Sequence, residues 1–127
     1  MIGASRWVAA AAGLEILTGA GLMVAPSLLA TLLFGSEMNA SGNAAGRIAG
    51  LVMVCLALAS WPRGPDDGPS QALLPLLALS VLAALYLAVV GLIGATVGAL
   101  LWPAAAIHLV IAVLLVRAWM AGRRAAG

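Results

Sequence analysis

Lysine is absent from the sequence, cysteine occurs once, and charge of either sign is scarce. The lone Cys55 excludes an internal disulfide and any paired-cysteine metal or redox motif, and in its apolar surroundings it reads as a small core residue. A single histidine, His108, cannot supply bis-histidine haem ligation, and no second His or Cys stands at metal-ligand spacing. Charged residues make up 8% of the 127 positions, against about a quarter in water-soluble domains, so a soluble globular domain is excluded. Six arginines against four acids leave a net charge of +2, but the arginines sit at segment ends and form no patch, so no nucleic-acid partner is expected. There is no glycine-rich phosphate loop and no nucleophile elbow. Asp66 and Asp67, in a Pro-rich stretch, read as a solvated turn, so no motif assigns an enzymatic activity to this chain alone.

What the sequence has is apolar length. Hydrophobic residues make up 65% of it, and from Gly68 to Val116 no residue carries a formal charge, a run about twice the ~20 residues that one membrane-spanning helix requires. Hydropathy and breakers predict an all-α integral membrane protein: one transmembrane domain, residues 1–127, built as an up-down-up-down four-helix bundle. The spans fall at about residues 7–24, 43–61, 71–94 and 100–119. Pro26 ends the first, and Ser27 to Phe34 (SLLATLLF) is too short to cross, which predicts an interfacial helix over 27–34. The PRGPDDGPS segment is turn chemistry between the second and third spans, Pro75 falls in the opening turn of the third, and Pro103 lies near the start of the fourth. Glu15 interrupts what would otherwise resemble a signal-peptide core, so the first helix reads as retained.

Arginine sets the expected orientation, because cytoplasmic flanks carry the excess of positive side chains. Arg6, Arg63, Arg117, Arg123 and Arg124 fall at the N-terminus, the second loop and the C-terminus, which share one side when four helices alternate. Both termini are therefore expected to be cytoplasmic. Trp7, Trp61 and Trp119 would mark the inner interface and Trp102 the outer. Gly46 with Gly50, and Gly94 with Gly98, form small-xxx-small pairs that suit close helix approach, within the chain or between copies.

Each span carries one side chain that is costly against lipid: Glu15, Arg47, Tyr86 and His108. At ~1.5 Å of rise per residue, Glu15 lies roughly 12 Å above the inner boundary; Arg47, Tyr86 and His108 lie ~6, ~8 and ~9 to 12 Å below the outer one. The expectation is that they meet in a low-dielectric pocket, with Glu15 paired to Arg47 or His108. Each has a plainer alternative: an interfacial Glu15, an Arg47 that snorkels, a His108 that only bonds a neighbouring helix, and a Tyr86 that packs.

The runs GLEILTGAGLMVAPSLLATLLFG (Gly13 to Gly35) and AGRIAGLVMVCLAL (Ala45 to Leu58) resemble the small four-helix bacterial membrane proteins of the DoxX-like group. The shared features are an apolar first helix ending in Pro, a short LLFG-like segment, and an Arg-x-x-Gly opening to the second helix. The group's usual acidic residue before the Arg is missing, with Gly42, Asn43 and Ala44 in its place. The resemblance implies an accessory or anchoring subunit, in a larger membrane complex or a homo-oligomer, some members being similar to membrane subunits of quinone-linked oxidoreductases. Arg47, His108 and Tyr86 would then donate to the oxygens of a quinone, lipid or other lipophilic ligand, with Glu15 orienting them. The position of Glu15 is also similar to that of the acid in small multidrug-resistance transporters, which implies proton-coupled export; Arg47 and His108 would repel the cation such proteins carry. A purely structural subunit is the third expectation.

Overall fold

The computed structural model describes residues 2–63, 69–94 and 97–125. Five helices follow one another: α1 (Ile2–Val24), α2 (Pro26–Phe34), α3 (Ala40–Ala59), α4 (Pro69–Ile93) and α5 (Leu101–Ala125), with no strand among the described residues. Hydrocarbon cannot satisfy backbone N–H and C=O groups, so apolar runs of this length close their hydrogen bonds internally as helices. Stretches within α1, α3, α4 and α5 (Ser5–Val24, Ala40–Ala59, Leu73–Ile93 and Leu101–Arg124) are long and apolar enough to cross a bilayer, the pattern of a multi-pass membrane protein. Parts of two expected turns, Gly64 to Gly68 with its aspartates and Ala95 to Thr96, lie outside the described residues.

Helix ends differ from the sequence expectation in instructive ways. α1 begins at Ile2, five residues before Trp7, because Arg6 is tolerated at a helix end. α3 begins at Ala40 because Asn39 is its N-cap, the side-chain oxygen accepting from the Gly42 N–H at 2.7 Å. α4 begins at Pro69, which puts Pro75 inside the helix instead of in its opening turn, a correction to the earlier boundary. The break between α1 and α2 sits at Ala25, whose ψ of 63 is non-helical, as the residue before a proline is pushed to be. Gly35 ends α2 in the left-handed region at φ 72, its N–H donating to the Thr31 carbonyl at 2.9 Å.

Two antiparallel pairs make the bundle, α1 with α3 and α4 with α5, and α1 also packs on α4 and α5. The first pair closes at Gly19 and Gly50, where each backbone fills the space a Cβ on the other would need, so only glycine allows the approach. Gly46 faces Pro26, and the small-xxx-small pair of α3 is thus used within the chain. α2 folds across one end of the bundle. Its last carbonyls, Leu32 and Leu33, accept from the N–H groups of Leu100 and Gly98 at 2.8 and 3.0 Å, so the α4–α5 connection is tied to it.

The apolar core has two parts. Val8, Ala12, Ala57, Leu76 and Leu115 pack toward the end that carries both termini. Leu87, Leu101 and Ala105, with Phe34 against them, pack beneath α2. A polar layer lies between the two.

Candidate functional site

Glu15 and His108 form that layer. Glu15 is 2% exposed and His108 9%, and they face each other across the antiparallel α1–α5 contact, with His108 Nε2 3.8 Å from Glu15 Oε1. That separation is an ion-pair distance but is too long for a direct hydrogen bond. Residue 15 lies one turn past Ala11 and Ala12, and residue 108 one turn before Ile111 and Ala112, so each helix carries its polar group on the same stripe as its core residues.

The imidazole is oriented from its own helix. The carbonyl of Ala104, one turn earlier, lies 2.8 Å from His108 Nδ1, and a carbonyl can only accept, so Nδ1 carries a proton and Nε2 is the atom left facing Glu15. The other carboxyl oxygen, Glu15 Oε2, is buried without a hydrogen-bond partner among the described residues. An unsatisfied buried oxygen of this kind costs about 1–3 kcal/mol, which is ordinarily removed by a bound group or water.

Beside the pair lies a partly open apolar cavity of about 200 Å³. Leu14 and Thr18 of α1, Leu29 and Leu33 of α2, Leu87 of α4, and Pro103, Ile107 and His108 of α5 supply its walls. The Thr18 hydroxyl donates back to the Leu14 carbonyl at 3.0 Å, so its hydrogen is already used while its oxygen can still accept. Glu15 is not itself in the wall; it meets the cavity through His108.

The expected meeting of four side chains reduces to these two. Arg47 is exposed on α3 and makes no ion pair among the described residues. Gly46 and Gly50 face α1, and one residue of helix turns roughly 100°, which carries Arg47 off the packed face. Side chains also lean toward the N-terminus of their helix, which for Arg47 is the end of the bundle that carries α2. Tyr86 is 62% exposed for the same reason, since its neighbour Leu87 is the residue that faces the core.

Four participants were not singled out from sequence. Thr18 is at i+3 from Glu15 and Ala104 at i−4 from His108, spacings that place them on the same faces and could have been read. Leu29 and Leu33 had no such signal, because only the fold of α2 back over the bundle makes them walls. No family model, no curated protein and no solved structure matches this chain.

Proposed function

We propose that the protein is a small four-helix component of the bacterial inner membrane, both termini cytoplasmic, that holds a lipophilic ligand between α1, α2 and α5 and serves as an accessory or anchoring subunit. The observation that carries the ligand reading is a buried Glu15–His108 pair, one oxygen of it unpartnered, beside an apolar cavity that His108 lines. Mostly apolar walls with one convergent polar group are the usual composition of a small-molecule site. The subunit role draws on the DoxX-like features of Gly13–Gly35 and Arg47–Gly50, and on α3, whose Ile48, Leu51, Val52 and Leu58 all face outward.

The test is purification with native lipids followed by mass spectrometry of the extracted lipophiles. The wild type is expected to retain one class of molecule, and Thr18→Phe, which puts a ring into the cavity wall, to retain at least about tenfold less, the equivalent of ~1.4 kcal/mol. Equal retention by both proteins would sink the reading. Orientation is checked separately in a Cys55→Ser background. Ser36→Cys is expected to react with an impermeant maleimide on intact cells, and Ala121→Cys only after permeabilisation; the reverse pattern refutes the orientation drawn from the arginines.

A further inference from the structure

Hydrogen-bond donors are scarcer around the cavity than four converging side chains would have made them. Arg47 and Tyr86, the donors suited to a carbonyl, lie on outward faces. The Nδ1–H of His108 is held by Ala104 and the hydroxyl hydrogen of Thr18 by Leu14. Beside the Thr18 oxygen, which can only accept, what remains is the pair's three polar atoms, the two carboxyl oxygens of Glu15 and Nε2 of His108. Hydrocarbon accepts such a pair when it is neutral overall, which means one proton among the three. Wherever that proton sits, two of the atoms are acceptors, and Oε2 meets no donor among the described residues. Among the described residues no other titratable group relieves the shortage: α2 has none, Cys55 of α3 is exposed and not the core residue expected, and Arg47 of α3, Tyr86 of α4 and Arg117 of α5 are exposed as well.

Depth and shape restrict the guest further. His108 lies seven residues into α5, about 10 Å along the helix, so a group that meets it sits below headgroup level, where an ionic head would be costly. Leu100, just before α5, and Pro103 and Ile107, one turn apart along it, line the cavity and are also exposed, so the mouth opens sideways at the depth of the acyl chains.

Given that the cavity is a ligand site, we propose that its guest is a neutral, membrane-dissolved lipophile ending in a hydroxyl, which reaches the Glu15–His108 pair sideways from the bilayer. The hydroxyl meets the pair at His108, the member that lines the cavity, accepting from Nε2 where that atom holds the proton and donating to it where it does not. A ketone or an ether only accepts, and leaves an acceptor of the pair unmet.

The experiment uses the full chain in phosphatidylcholine nanodiscs, photolabelled with a diazirine-bearing long-chain alcohol and competed with dodecanol, its methyl ether, or the ketone of the same chain length. Labelling is expected on the peptides around Thr18 and Pro103 to His108, with dodecanol competing at about tenfold lower mole fraction than ketone or ether, the ratio one buried hydrogen bond gives. In Glu15→Gln the amide brings donors of its own, and the preference is expected to move toward the ketone. Equal competition by all three in the wild type overturns the hydroxyl assignment while leaving a lipophile site in place. Labelling spread evenly over the bundle surface overturns the site and the assignment together. The wild-type comparison decides the matter even if Glu15→Gln folds poorly.

Discussion

Gly50→Leu is expected to detach α3 from α1 and lower stability in detergent by at least about 3 kcal/mol, read from the midpoint of unfolding by a denaturing detergent. A Cβ at Gly50 would run into the Gly19 carbonyl, and would lie 2.9 Å from Leu22 Cβ and 3.0 Å from Met23 N. Two of those three neighbours are backbone, so relief requires moving a helix and not a rotamer. α3 has little else to hold it: besides Gly46 and Gly50, only Ala57 is buried within the helix. Two controls isolate the cause. Ala49→Leu places the same side chain one residue away on an exposed face, and is expected to leave the midpoint within about 0.5 kcal/mol of wild type. Gly13→Ala meets nothing within 4 Å and is expected to stabilise α1 by up to about 1 kcal/mol, the helix propensity of alanine over glycine. A Gly50→Leu protein as stable as Ala49→Leu would contradict the α1–α3 crossing.

These glycines also mark where sequence is a good guide and where it is not. Span number, approximate limits and the α1–α2 break were legible because length, charge depletion and Pro26 act locally. Depth was legible too: rise per residue put Glu15 and His108 near one layer, and they meet there. Rotation about the helix axis was not. α4 is apolar all round, so nothing in its pattern indicates that Leu87 faces in and Tyr86 out. On α3 the informative residues were the small ones, since Gly46 and Gly50 define the packed face and thereby turn Arg47 outward. A reading that ranked ionisable residues first therefore found the level at which Glu15 and His108 meet but set Arg47 and Tyr86 on inward faces, where the helices turn them outward. The walls that α2 contributes were out of reach for a different reason: the tie of Leu32 and Leu33 to the α4–α5 connection is a long-range backbone contact that no local pattern encodes.

Removing one member of the Glu15–His108 pair is expected to destabilise the bundle more than removing both. His108→Leu leaves a carboxyl group that is 2% exposed, with Oε1 deprived of the imidazole beside it and Oε2 already without a partner among the described residues. Orphaning one half of a buried pair ordinarily costs about 3–5 kcal/mol, because the remaining group is desolvated for no return. Glu15→Leu is the milder single change, since a neutral imidazole keeps its bond to the Ala104 carbonyl and loses only a partner for Nε2. The double replacement fills both positions with apolar volume between the two core clusters, and buried pairs exchanged this way are often neutral or stabilised by about 1–4 kcal/mol. Unfolding midpoints of the four proteins form a cycle whose coupling is expected to exceed about 2 kcal/mol, with the double variant at or above wild type. Additive losses, with the double variant the least stable, would show that the two side chains do not act as a pair. Ligand retention measured on the same proteins should run the other way, lost in the double variant despite its recovered stability, because a site left with the Thr18 oxygen alone has no proton to give and one acceptor with which to hold a polar head. A double variant that keeps both its fold and its lipophile would assign the pair to packing and take the chemistry out of the cavity.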